Sequence, residues 1–217
     1  MFDFAKARDH MVESQIRTND VTEPAILKAF RTTARENFVP KAKKALAYSD
    51  AHIRMDEGRV MLRPRDLSKL IDAADIRPSD VVLDVACGRG YSTAVMSKLA
   101  DTVVGLEVSD EAVTVATDLL VEASVENAAI VKGDLKVGAS EHGPFNVIFI
   151  NGAVTQVPKQ WFTQLANNGR LVCILQNGPI GQATVFTKSG DAVGNRVVFD
   201  ASAPLLPGFE AEDAFVF

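Results

Sequence analysis

The sequence predicts an α/β fold: a doubly wound, largely parallel sheet of the seven-strand type, preceded by a helical N-terminal extension. Three observations predict it. Compact apolar runs alternate with helical stretches from residue 64 onward, two glycines follow the first of these runs, and acidic residues stand at or just beyond the ends of three successive runs. With 47% apolar side chains in 217 residues, such a fold buries a sizeable core without stapling.

Each element has its own signal. Phe4, Ala7, Met11, Val12 and Gln15 recur at helical spacing, so a helix is expected over 3–16 with Asp3 as its cap. A second is expected with Thr22 as cap, Pro24 in the first turn, and Ile26, Leu27 and Phe30 on its apolar face. Residues 38–61, with Pro40, a basic run at Lys41, Lys43 and Lys44, then Tyr48 and Gly58, read as loop and short elements. From Pro64 a helix presents Leu67, Leu70 and Ile71; after Pro78 the run Val81, Val82, Leu83 and Val85 reads as the first buried strand. Further strands are expected at 102–106, 129–131, 145–150 and 171–175, with a helix capped by Ser109 running to Leu120 and another from Pro158 to Ala166. Segments 183–186, 196–199 and 215–217 are expected to add antiparallel strands at one edge. The chain thus divides into an extension and substrate-side segment, 1–63, and a ligand-binding α/β domain, 64–217.

Composition excludes several classes. A net charge of -5 and a pI near 5.3 argue against nucleic acid as a partner, because phosphates need a basic surface. The two cysteines, Cys87 and Cys173, lie in apolar stretches with no partner at metal-ligand spacing, so no metal site is expected. The opening Asp3, Lys6, Arg8 and Asp9 are unlike a leader, and no run is long enough for a membrane span. The expected setting is cytoplasmic.

The chemistry is carried by Asp84-Val85-Ala86-Cys87-Gly88-Arg89-Gly90-Tyr91, which puts an acid at the end of the first strand and glycines in the turn into the next helix, where open α/β sheets bind ligands. Glycines let the backbone approach a ligand and adopt positive φ. The second strand ends in Glu107, an acceptor for both hydroxyls of a ribose, and the third is followed by Gly133-Asp134, whose carboxylate suits the exocyclic amine of adenine. Loop and Glu107 alone fit a nicotinamide dinucleotide too. Asp84 turns the balance, because a carboxylate there repels a pyrophosphate but suits the sulfonium and ammonium of S-adenosylmethionine. A Rossmann-like, class I S-adenosylmethionine-dependent methyltransferase is therefore expected, with a dehydrogenase as the minor rival. Its cofactor residues are Asp84, Ala86, Gly88, Gly90, Tyr91, Glu107, Asp134 and Leu135. For Tyr91 the alternative is simply the start of the next helix.

The same residues resemble the protein-L-isoaspartate O-methyltransferase family over most of the chain. Met11-Val12-Glu13-Ser14-Gln15-Ile16-Arg17 resembles the family's first helix, and Arg35-Glu36-Asn37-Phe38-Val39-Pro40 with Ala47-Tyr48-Ser49-Asp50 its next two signatures. The 84–90 loop, Glu107, Gly133-Asp134, Pro144-Phe145 and Gly169-Arg170-Leu171-Val172 follow in the family's order. The resemblance implies methyl transfer from S-adenosylmethionine, with S-adenosylhomocysteine as product, to the carboxyl group of an L-isoaspartyl residue in a peptide or protein. This is the first step of protein repair.

The run Gly58-Arg59-Val60-Met61-Leu62-Arg63-Pro64-Arg65-Asp66 departs from the family, placing Leu62 where the resemblance implies a substrate-site serine and Arg65 where it implies a histidine. Leucine donates no hydrogen bond. Ala86 and Leu135 stand in place of glycines and Asn146 in place of an aspartate. A carboxylate acceptor is already ionised at neutral pH, so transfer needs positioning and no general base, and no base is assigned. Arg63 and Arg65 are candidates for clamping an acceptor's carboxylate or phosphate, although a solvated surface pair is the favoured reading. His52, His10 and His142 are weaker candidates, Cys87 reads as an inert thiol, and Trp161 with Phe162 as sheet-to-helix packing. Two alternatives stay open beside isoaspartyl transfer: a different, small acceptor, and a cofactor-binding module without turnover.

Overall fold

Burial explains the elements in turn. The structure, a computed structural model, describes residues 3–55 and 58–210. Helix α1 (Phe4–Met11) starts where the Asp3 carboxylate accepts the N–H of Lys6 at 3.0 Å, then continues as a wider π turn through Ile16. Helix α2 (Pro24–Thr32) is capped by Glu23, not Thr22, and without a side-chain bond. Proline's fixed φ makes Pro24 the first helical residue, so the cap falls one place before it. Short helical turns lead to a two-stranded antiparallel pair, β1 (Ile53–Arg54) and β2 (Val60–Met61), and then to α3 (Pro64–Ala73).

The remaining strands are β3 (Val81–Val85), β4 (Thr102–Glu107), β5 (Ala128–Lys132), β6 (Phe145–Val154), β7 (Leu165–Leu175), β8 (Gln182–Ser189) and β9 (Ala192–Asp200). They form one sheet in the order β5-β4-β3-β6-β7-β8-β9, parallel through β7 and antiparallel from β7 to β9. The expected strand at 215–217 lies outside the described residues. Helices α4 (Tyr91–Met96), α5 (Asp110–Glu122) and α6 (Lys159–Gln164) connect the strands. Ser109 caps α5 by accepting the N–H of Ala112 at 3.1 Å. Pro158 caps α6 from outside the helix, which stops at Gln164 because Leu165 turns extended to pair with Phe145.

Side-chain alternation divides the sheet between two cores. Val82, Val103, Val147, Phe149, Val172 and Ile174 face one core, which also holds Met11, Ile16, Phe30, Phe38, Leu62 and Leu67. Leu83, Val85, Leu106, Ile148, Ile150 and Leu171 face the other, with Trp161 and Phe209. The N-terminal segment is therefore built onto one face of the sheet. Arg35 strengthens that attachment from full burial, donating to the carbonyls of Ala47 and Leu62, both at 2.7 Å, with its guanidinium 4.8 Å from the centre of the Tyr91 ring. Burial lowers its pKa.

Strand order reverses at β3, which has β4 on one side and β6 on the other, and such a switch point opens a crevice at the carboxyl ends of the strands.

Candidate active site

Register fixes the crevice. Asp84 lies opposite Gly105 on one side and Phe149 on the other, and Glu107 opposite Lys132, so the ends of β3, β4, β5 and β6 stand side by side. After β3 the chain turns through three left-handed residues, Ala86 (φ 65), Gly88 (φ 61) and Gly90 (φ 86), and the N–H groups of Ala86 and Cys87 both point at the Leu106 carbonyl. Glycine adopts this conformation freely, whereas alanine loses roughly 1–2 kcal/mol there. Ala86→Gly is therefore expected to stabilise the protein by about 0.5–1 kcal/mol in a denaturant titration, after subtracting glycine's extra entropy in the unfolded chain.

Asp84 is fully buried. Its Oδ2 accepts the hydroxyls of Ser92 at 2.6 Å and Thr93 at 2.7 Å, and Ser92 in turn accepts from Asn151 Nδ2 at 2.6 Å. Its Oδ1 has no partner. Burial, reinforced by nearby Glu107, pushes the carboxyl up to about 7 against the pull of the two hydroxyls and of Arg59. A buried carboxylate oxygen left without a partner, next to Ser92 of the cavity wall, is an acceptor suited to a cationic ligand, which fits S-adenosylmethionine.

Glu107, 2% exposed, accepts the N–H of Gly88 at 2.6 Å and of Val108 at 3.2 Å, and it is paired with Arg59 at 2.8 Å. It forms one wall of a cleft of about 330 Å³ together with Met55, Arg59, Gly88, Arg89 and Val115. Beyond β5, Asp134 is exposed and accepts the N–H of Lys136 at 2.7 Å through Oδ1. Leu135 is buried beside it, and its carbonyl is held by Trp161 Nε1 at 2.8 Å. Ala86, Gly88 and Glu107 line the cavities at the ends of β3 and β4, Asp134 and Leu135 line a separate recess beyond β5, and Asp84 is buried near the end of β3.

Tyr91 begins α4 but turns away from the Glu107 cleft. Its ring packs 6.3 Å from Phe30 and 5.7 Å from Phe38, centre to centre, and burial raises its pKa. Leu62, fully buried, lines a second, small cavity of about 20 Å³ with Tyr91, Ser92, Asn151 and Ala86. Leu62→Ser is expected to lower stability by about 2–5 kcal/mol, since it trades packed methyl groups for a cavity and a buried hydroxyl, while leaving cofactor affinity unchanged by calorimetry.

Arg63 and Arg65 converge on one carboxylate: Arg63 Nε reaches Asp66 Oδ2 and Arg65 Nη1 reaches Oδ1, each at 2.7 Å, with Asp66 fully buried. Arg65 also bonds Asn19 Oδ1 at 3.2 Å and lies 5.6 Å from the Phe199 ring centre. His52 is structural in its contacts: Nδ1 accepts the N–H of Arg63 at 3.1 Å, so Nε2 carries the proton and donates to the Ser202 carbonyl at 2.6 Å. Asn146 Oδ1 accepts the N–H of Val81 at 2.8 Å and pins β6 to β3. Burial raises the Cys87 thiol well above its ordinary range, with Asp84 and Glu107 adding to it, and keeps it un-ionised. Among the described residues no group of three or more His, Cys, Asp or Glu side chains could hold a metal ion, and no helix is long and apolar enough to cross a membrane.

Two side chains at the crevice were missed by sequence reasoning. Asn151 has a signal, since it is the first polar residue after four consecutive apolar or aromatic positions of β6. Arg59 has none, because its partner lies 48 residues further on.

A seven-stranded, doubly wound sheet of this order, with a helical N-terminal extension and acids at or just beyond three successive strand ends, is the fold of a class I S-adenosylmethionine-dependent methyltransferase. A sequence model of the family described as protein-L-isoaspartate(D-aspartate) O-methyltransferase matches residues 6–200, and the chain belongs to that family. A protein-L-isoaspartate O-methyltransferase of Protochlamydia amoebophila is 35% identical over 162 residues, 75% of this chain and 77% of that protein. A solved protein-L-isoaspartate O-methyltransferase superimposes with a TM-score of 0.80 at 25% identity, over 93% of this chain and 66% of the other. A Plasmodium falciparum structure assigned the same activity and crystallised with S-adenosyl-L-homocysteine shares the fold, with a TM-score of 0.77 at 17% identity over 92% of this chain and 97% of the other.

Proposed function

We propose that this chain transfers the methyl group of S-adenosylmethionine to the free α-carboxyl of L-isoaspartyl residues in peptides or proteins, the opening step of protein repair. The observation that carries this reading is the set of three acids on successive strand ends, Asp84, Glu107 and Asp134, within a chain of this family. Asp84 holds the cationic end of the cofactor, Glu107 its ribose, and Asp134 with Leu135 its adenine. When bound, the cofactor supplies an electrophilic methyl on a sulfonium. The chain's task is to hold an already ionised carboxylate in line with it and to keep water out. Met55, Met61 and Leu62 give that crevice apolar walls. No side chain needs to move a proton.

A second reading, transfer to a different carboxylate, is favoured by one feature: the buried Leu62 offers no hydroxyl beside the acceptor's place. A cytoplasmic setting accords with two buried, unpaired thiols, Cys87 and Cys173. The test is labelled methyl transfer to an isoaspartyl peptide, with the matching aspartyl peptide alongside. Base-labile label on the first alone is expected; label on neither, in a protein that binds the cofactor, sends the assignment to another acceptor or to a binding role.

A further inference from the structure

Arg59 lines both cavities, as do Met55, Gly88 and Arg89, with Glu107 in the wall of one and Leu62 and Asn151 in the wall of the other. Its guanidinium holds Glu107 by two bonds, Nη2 to Oε1 at 2.8 Å and Nη1 to Oε2 at 3.3 Å, and the side chains are only 9% and 2% exposed. The N–H groups of Gly88 and Val108 occupy one further site on each of the same two oxygens. An ionised carboxylate offers about four acceptor sites, and here all are taken. A ribose diol brings two O–H donors to this carboxylate. The Gly88 and Val108 donors are backbone groups fixed by the loop and β4, so Arg59 is the partner that gives way.

We propose that Arg59 is the acceptor-binding residue of this enzyme, held in reserve on Glu107 and released to the acceptor's carboxylate when the cofactor's ribose takes its place. The proposal rests on the reading of the preceding subsection. Charge supports the order of events. Displacement strips Arg59 of its counter-ion in a nearly closed site, next to a cofactor that itself carries a sulfonium and an ammonium. An anionic acceptor restores the balance. Before the cofactor binds, Glu107 neutralises Arg59 and shields it from any carboxylate. The other arginines beside Leu62, Arg63 and Arg65, are committed to Asp66. Arg89 is the rival, because it lines the same two cavities and its buried Nε has no partner.

The experiment compares the full-length protein with Arg59→Gln, Arg59→Lys and Arg89→Gln. Removing an internal competitor is expected to tighten S-adenosylhomocysteine binding in Arg59→Gln by about tenfold in calorimetry. In the same variant KM for an isoaspartyl peptide is expected to rise by at least about tenfold with kcat within about threefold, and Arg59→Lys to recover part of the KM loss. In the native protein, whose folding is not in question, the peptide is expected to bind the S-adenosylhomocysteine-loaded form and not the free one. Equal or weaker cofactor binding in Arg59→Gln overturns the proposal. So does an unchanged peptide KM, a KM response confined to Arg89→Gln, or equal peptide binding with and without S-adenosylhomocysteine. If the native protein methylates no isoaspartyl peptide while Arg59→Gln still binds S-adenosylhomocysteine more tightly, the substrate assignment and Arg59's acceptor role fall together, and only the competition for Glu107 stands.

Discussion

Glu107→Ala is expected to weaken S-adenosylmethionine binding by roughly two orders of magnitude and to lower the stability of the free protein by about 3–5 kcal/mol. Two separate losses are involved. The ribose loses an ionised acceptor for two hydroxyls, and hydrogen bonds to a charged group are each worth about 1.5–3 kcal/mol, which more than offsets relief from Arg59. The free protein loses the only ion-pair partner that Arg59, 9% exposed, has among the described residues. Removing one member of a buried pair is strongly destabilising because the other charge remains. Glu107→Gln separates the two: it keeps an oxygen for the N–H of Gly88, so the stability loss shrinks while much of the affinity loss remains. Calorimetry reads the first quantity and denaturant unfolding the second. Full affinity in Glu107→Ala removes the ribose assignment.

Asp84→Asn is expected to raise stability at pH 8 and to abolish most of the pH dependence of cofactor binding. The native carboxyl sits at about 7, pushed up mainly by burial, while in the unfolded chain it titrates near the ordinary aspartate value of 3.8. Between those values the folded protein holds a proton that the unfolded chain has released, so this group makes stability fall as pH rises from about 4 to about 7. Above pH 7 it is ionised in both states and the full penalty of burying a charge is present; below about pH 4 the penalty is absent. A shift of this size corresponds to an upper bound of about 4 kcal/mol, and an asparagine that keeps the Ser92 and Thr93 bonds is expected to recover about 1–3 kcal/mol of it at pH 8. The gap between native and variant closes on acidification to pH 4. Cofactor binding has the opposite slope, because a cationic ligand selects ionised Asp84. Native affinity is expected to fall below pH 7, with proton release on binding that calorimetry in buffers of different ionisation enthalpy detects, and the asparagine variant to bind weakly at every pH. A native affinity that is flat between pH 5.5 and 8 contradicts the role given to Asp84.

The parallel strands were legible because they are buried on both faces: Val81 to Val85 and the run from Phe145 read as continuous apolar stretches, and their ends carried the acids. The helix caps at Asp3 and Ser109 were legible because capping is local chemistry. Thr22 misled because the position of Pro24 outweighs a better capping side chain. The pair β1 and β2 was invisible, since two-residue strands have no period to detect. Asp84, Glu107 and Asp134 stood out one strand at a time. What sequence did not carry was pairing across distance: that Asp66 holds both Arg63 and Arg65, that Tyr91 turns toward Phe30 and Phe38, and that Arg59 closes over Glu107.

The most direct measurement is a crystal structure of the chain with S-adenosylhomocysteine. One ligand is expected across the ends of β3, β4 and β5, its ribose hydroxyls on Glu107, its adenine amine near Asp134, its amino group near Asp84, and the Arg59 guanidinium no longer bidentate on Glu107. A ligand seated elsewhere, or one in the crevice with the Arg59 to Glu107 pair intact and no ribose contact to that carboxylate, contradicts it.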